Sequence, residues 1–151
     1  FYVMRGAVDQ PSGAWSRTGM GKCNWNELAT PDPDAARAFY AAVSGWTYPE
    51  RMTMPDGMGD YVFHDVGAGV GGGVGGERIG ASMRNADGQS PGWTFYFRAP
   101  DIDAAAAAIV ANGGAVHAGP MEVPGGDLIV VASDPEGVGF GVAAPGRGAA
   151  A

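Results

Sequence analysis

The sequence is short of leucine, cysteine and positive charge, and each shortage closes off a class of protein. Leucine occurs only at Leu28 and Leu128. Alanine, valine, methionine and the aromatic residues (four Trp, five Tyr and six Phe) must therefore fill the core, which argues against a leucine-rich helical bundle and for close backbone packing with many turns. A single cysteine, Cys23, cannot close an intrachain disulfide, and no basic-then-apolar segment opens the chain, so a cytoplasmic setting is expected. Nine Lys and Arg stand against sixteen Asp and Glu, for a net charge of −7. Without a basic footprint, neither nucleic acid nor a membrane surface is expected as a partner. No apolar run approaches the roughly 20 residues that a spanning helix needs. At 151 residues the chain suits one compact domain, or two small halves that share a core.

What the sequence has in quantity is punctuation, with 27 glycines and 11 prolines. The punctuation repeats. Sliding the chain by 69 residues lays Pro31, Asp32, Asp34, Ala35, Ala36 and Ala38 on Pro100, Asp101, Asp103, Ala104, Ala105 and Ala107, with Ala42 on Ala111 and Gly45 on Gly114. Both copies use the same device. An alternating apolar run meets a proline, and an Asp follows whose carboxylate can accept the free N–H groups of a first helical turn. Glycine then ends the helix.

This reading predicts strands over 23–30 and 93–99, each followed by a helix, over 33–44 and 102–112. Ala36, Phe39, Tyr40 and Val43 share one helical face, and Ile102, Ala105, Ala106 and Ile109 share another. Further strands are expected at 46–48 and 61–64 in the first half, and at 115–117, 128–132 and 139–143 in the second. The last strand of the first half has two candidates, Val70 to Val74 in the glycine tract and Ile79 to Met83. The expected organisation is an irregular arm over 1–22, where Tyr2 to Met4 could pair onto a sheet edge, a first βαβββ module over 23–85, a second over 86–145, and a short tail over 146–151.

In order and spacing these segments resemble the vicinal oxygen chelate superfamily, which includes glyoxalases, bleomycin resistance proteins and extradiol dioxygenases. The likeness rests on Trp25 to Asp32 with Ala38-Phe39-Tyr40 and Gly45-Trp46. In the second half it rests on Trp93 to Phe97, Pro100 to Asp103, Gly113-Gly114, Gly119 to Gly125 and Asp134 to Gly137 with Phe140. The resemblance implies an α+β fold: two tandem βαβββ modules pair into an open, cup-shaped mixed sheet around a ligand cavity, with the helices outside. It also implies a metal held from the first and last strands of each module. Carried over residue by residue, those positions are Trp25, Thr94, Gly73 and Gly141. None binds a divalent ion strongly, so neither metal nor other cofactor is expected.

Alternation sets Trp25, Glu27 and Ala29 on one strand face, with Thr94, Tyr96 and Arg98 on the corresponding face of the other strand. Leu28, Phe95 and Phe97 would lie opposite, under the helices. The candidate ligand-binding residues are accordingly Trp25, Glu27, Thr94, Tyr96 and Arg98, suited to a small organic ligand with an aromatic ring or a carboxylate. Glu27 and Arg98 could instead pair with each other across the sheet. A metal-free binding protein that resembles the drug-sequestering branch of the superfamily is the first functional expectation, with a homodimer implied by the resemblance. The alternative is a lyase, isomerase or dioxygenase that uses Glu27 for acid–base catalysis, or displaced metal ligands drawn from His64, His117, Glu27 and Glu122. Beside Lys22, Cys23 is either a reactive thiol or a small packing residue.

Overall fold

The computed structural model describes residues 13–55, 58–67 and 76–147. Tyr2 to Met4 and the Val70 to Val74 candidate strand lie outside the described residues. The first half runs β1 (Cys23–Thr30), α1 (Pro33–Ser44), β2 (Trp46–Thr47), β3 (Arg51–Thr53), β4 (Asp60–Val66) and β5 (Glu77–Arg84). The second half runs β6 (Gly92–Arg98), α2 (Ile102–Ala111), β7 (Ala115–Glu122), β8 (Leu128–Ser133) and β9 (Gly139–Ala144). The Ile79 to Met83 candidate is thus a strand, inside β5. The short β3 and the length of β7 were not anticipated from sequence.

Both helices start as the Asp punctuation predicts. The Asp32 carboxylate accepts the Ala35 N–H at 3.0 Å, and Asp101 accepts that of Ala104 at 2.7 Å. At the end of α1, Gly45 takes φ 68°, a left-handed conformation that ordinary side chains resist.

All nine strands form one open mixed sheet in the order β2-β4-β5-β1-β6-β9-β8-β7, with β3 added beside β4. At its centre β1 and β6 pair antiparallel, and each has a parallel partner on its other side, β5 and β9. The arm is tied to this centre as well. Gly21 N–H donates to the Arg98 carbonyl at 2.8 Å, Arg98 N–H donates to that of Lys22 at 2.9 Å, and Trp15 bridges Cys23.

The helices cover the two ends of one sheet face. On α2, Ile102, Ala105, Ala106 and Ile109 pack against Leu128, Val130, Val142 and Ala144, as their spacing predicts. The first half fills its core with rings. Trp46 stacks on Tyr40 and on His64, at 5.3 Å in each case, and the Trp93 indole N–H donates to the Tyr40 hydroxyl at 3.0 Å.

Two expectations about this face need correction. Phe95 and Phe97 are 47% and 42% exposed rather than covered, because α1 lies over β1, β2 and β5, and α2 over β7, β8 and β9, leaving this stretch of the outer face of β6 between them. On α1, Phe39 and Val43 are 49% and 44% exposed. The inward stripe includes Arg37 instead, whose guanidinium reaches down to donate to the buried Ser82 hydroxyl at 3.2 Å.

A close approach couples the central strands. Tyr96 on β6 stands in register with Gly141 on β9, and a β-carbon at Gly141 would fall 2.1 Å from the Tyr96 ring. Only glycine lets the phenol lie across β9.

Gly141→Ala should therefore destabilise the fold by about 2–3 kcal/mol through overpacking, and most of that cost should vanish in a Tyr96→Ala background. Urea unfolding of the four variants measures it, and an equal cost in both backgrounds would contradict the ring placement. His64 generates a second expectation. It is 1% exposed, neither ring nitrogen has a hydrogen-bond partner among the described residues, and burial pushes its pKa down to about 4. The unfolded chain then binds the proton more tightly than the folded one, so stability is full above about pH 6.5 and falls by about 3 kcal/mol as the pH drops to about 4. His64→Phe should remove that acid limb in urea titrations at pH 7 and pH 4.5; parallel losses in both proteins would refute it.

Candidate functional site

The concave face of the sheet, opposite the helices, encloses a cavity of about 490 Å³. Strand alternation supplies its floor. Trp25 and Glu27 project from β1, Tyr96 from β6, Tyr61 and Phe63 from β4, Ile129 and Val131 from β8, and Ala143 from β9. Met52, Met54, Met83 and Met121, four of the chain's seven methionines, complete an apolar wall. Such unbranched thioethers adjust to ligands of different outline.

Within this apolar setting lies one short polar chain. The Trp25 indole N–H donates to the Tyr61 hydroxyl at 2.8 Å, and that hydroxyl donates to Glu27 Oε2 at 2.8 Å. The Tyr96 hydroxyl reaches Glu27 Oε1 from the other side at a longer 3.4 Å. Burial raises the Glu27 pKa above the ordinary carboxylate value, and the two phenol hydrogen bonds only partly offset it. Burial and the neighbouring carboxylate also raise both tyrosines, so the phenols stay neutral donors.

A bulge in β1 adds another polar group. Between Cys23 and Trp25 the pairing with β6 slips by one residue, and the extra residue, Asn24, enters the cavity wall. Asn24 is 4% exposed, and its side-chain oxygen has no hydrogen-bond partner among the described residues. Cys23 faces the other way, where its thiol donates to Asn26 Oδ1 at 3.2 Å. Burial pushes that thiol up, the reverse of the activation that Lys22 beside it would bring.

Of the five residues expected to bind ligand, the structure brings Trp25, Glu27 and Tyr96 together in the cavity wall. Thr94 stands in register with Glu27 but is not a wall residue. Arg98 pairs with Asp127, so it neither meets Glu27 nor projects a free cation into the cavity. Tyr61, Asn24 and Arg17 went unnoticed in the sequence. The alternation of Tyr61, Phe63 and Asp65 on one strand face was a signal for the first. Nothing marked the bulge that redirects Asn24.

The donors do not suit the metal that the superfamily resemblance implies. At the carried-over positions, Trp25 uses its only nitrogen as a hydrogen-bond donor, Thr94 lies outside the wall, and Gly141 has its side-chain space filled by the Tyr96 ring. Gly73 lies outside the described residues. Both oxygens of Glu27 already accept phenol protons. Nor do the histidines converge. His64 is enclosed by rings under α1, and His117 binds the Ser133 hydroxyl at 2.9 Å near the far edge of the sheet. Among the described residues no three His, Cys, Asp or Glu side chains gather as a metal would require.

Comparison with known proteins agrees with the fold. A Mycobacterium bovis protein named for a glyoxylase, CFP32, is 38% identical over 125 residues, covering 83% of this chain and 44% of its own length. The anthracycline biosynthesis protein DnrV of Streptomyces peucetius is 29% identical over 136 residues, 84% of this chain and 48% of its own. The chain thus spans about half the length of these curated relatives. Among solved structures, a Streptomyces coelicolor methylmalonyl-CoA epimerase variant in complex with 2-nitronate-propionyl-CoA superposes with a TM-score of 0.59 at 19% identity, covering 85% of this chain and 97% of that one. Methylmalonyl-CoA epimerase from Mycobacterium tuberculosis gives 0.56 at 16% identity, covering 83% and 90%. The family profile described as a Glyoxalase-like domain matches residues 26–143, and the chain belongs to that family, within the vicinal oxygen chelate superfamily.

Proposed function

We propose that the protein binds a small organic ligand in the cavity on the concave face of its sheet, without the metal set of its superfamily. The observation that carries this reading is the Glu27 carboxyl group. It is held between two neutral phenols in a cavity lined mainly by methionine, aromatic and aliphatic side chains. Such a site pairs apolar contact area with a few convergent polar atoms, the usual composition of a small-molecule pocket. The Asn24 oxygen, without a partner among the described residues, adds an acceptor for a ligand N–H or O–H. The occupant that fits is a flat or aliphatic body with one polarised oxygen directed at Glu27 and Tyr96. That the Streptomyces coelicolor methylmalonyl-CoA epimerase variant is solved in complex with 2-nitronate-propionyl-CoA is compatible with an organic ligand.

One observation favours a second, enzymatic reading. Glu27 has a raised pKa, and its contact with Tyr96, at 3.4 Å, is the looser of the two phenol bonds. A ligand carbonyl next to Tyr96 could take that phenol as its hydrogen-bond donor. Glu27 would then remove a proton from the carbon α to the carbonyl, and the enolate oxygen would keep the Tyr96 hydrogen bond. Returning a proton from Glu27 to the same face of that carbon gives hydrogen exchange, and its return to the opposite face completes a balanced epimerisation.

6-Hydroxynaphthalene-2-carboxamide titrated by calorimetry tests the first reading. Tyr96→Phe and Glu27→Gln should each weaken its binding by about three- to tenfold with the thermal midpoint little changed. Unchanged affinity in both would remove the site assignment. For the second reading, the α-hydrogens of 2-acetylnaphthalene should exchange with deuterium oxide faster in the presence of the protein. Glu27→Gln should abolish the gain, and exchange at the buffer rate with the unaltered protein would discard catalysis while leaving binding intact.

A further inference from the structure

Four charged side chains line the cavity, and three of them are already accounted for. Arg78 is paired with Asp65 at 3.0 Å and with Glu50 at 2.6 Å, Asp127 is paired with Arg98, and Glu27 is bound by the two phenols. The fourth, Arg17, has no acidic partner among the described residues. Its guanidinium lies over the Trp25 ring, 5.0 Å from the centroid.

That stacking uses the face of the guanidinium and leaves the N–H groups at its edge to other partners. Arg17 is also held in place from both directions. The segment carrying it is bonded to the sheet by Ser16 N–H to the Cys23 carbonyl at 3.0 Å and by Gly21 N–H to that of Arg98 at 2.8 Å. The ring beneath it is fixed by the Trp25 to Tyr61 hydrogen bond. A solvent-exposed cation is thus placed at the cavity rim, with the Trp25–Tyr61 pair separating it from Glu27.

Building on the proposed ligand cavity, we infer that its ligand is an organic acid whose carboxylate is received by Arg17 at the rim while the apolar body lies against Trp25 and the methionine wall. The chain's net charge of −7 repels anions in general. A preference for an anionic ligand over its neutral twin would therefore be the work of a local cation, and Arg17 is the one placed to provide it. A planar carboxylate also matches the paired N–H groups of an arginine edge, which a lysine in the same place would meet less well. The segment before β1 then acts as the part of the chain that selects the ligand's charge, in addition to closing one side of the cavity.

The test compares two probes of equal shape, 6-hydroxynaphthalene-2-carboxylate and 6-hydroxynaphthalene-2-carboxamide, whose hydroxyl can reach Glu27 while the other end meets the rim, by calorimetry on the full chain. The unaltered protein should bind the carboxylate about tenfold more tightly than the amide, and 0.5 M salt should shrink that margin because the rim is solvent-exposed. Arg17→Met should bring the ratio of carboxylate to amide affinity down to about one, and Arg17→Lys should keep part of the preference. If both probes bind equally to the unaltered protein, or the preference survives Arg17→Met, the inference is overturned and the cavity reading stands. If neither probe binds, the cavity reading fails and this inference fails with it.

Discussion

Two strands, β1 and β6, run antiparallel through the middle of the sheet, and each is flanked on its outer side by a parallel strand. Their register places Trp25 opposite Tyr96, and Glu27 then lies one alternation step further along the same concave face. The other cavity features follow from this seam. Tyr96 can bend across β9 only because Gly141 has no side chain, and Tyr61 arrives from β4 at the height of Glu27 because β5 spaces β4 from β1. A slip of one residue along the seam would turn every one of these side chains to the opposite face. The chain tolerates such a slip only at Asn24, where the bulge brings another polar group into the cavity wall.

The two faces of the sheet solve different problems. Under the helices, a core nearly without leucine is filled by alanine on α2 and by stacked rings on α1. One of those ring positions is His64, whose burial makes its protonation costly. On the concave face no helix among the described residues supplies a cover, so apolar wall residues remain around a cavity, and most of the polar groups inside bind one another. The tie between Arg98 and Asp127 shows this most clearly. An arginine that alternation directs at the ligand face is neutralised by a neighbouring loop carboxylate, and the rim cation is supplied by Arg17 from the segment before β1.

The residues at the metal positions that the resemblance implies are packed in a connected way. At Gly141 the side-chain space is filled by the Tyr96 ring, and at Trp25 an indole donates its hydrogen to Tyr61. Both arrangements favour a pocket whose polar chemistry runs through phenol hydroxyls and one carboxyl group. Placing a carboxylate at position 141 would first require removing Tyr96 from its place.

Local chemistry made much of the fold legible before any coordinates. Asp32 and Asp101 announce helix starts because a carboxylate there accepts the first free N–H groups, and Gly45 announces a stop because it takes the left-handed conformation. Alternation put Trp25, Glu27 and Tyr96 on one face, since a strand's side chains change sides at every residue. The remainder depended on contacts between distant segments. Whether a helix covers Phe95 and Phe97 on β6 is a matter of where two helices land on a nine-stranded sheet. The pairing of Arg98 with Asp127, the approach of Tyr61 to Glu27 across 34 positions of chain, and the stacking of Arg17 on Trp25 leave no periodic trace in the sequence. Periodicity determines the face of an element on which a residue stands; only tertiary packing brings that face to its partner, because the choice of partner is made by strand order and loop paths.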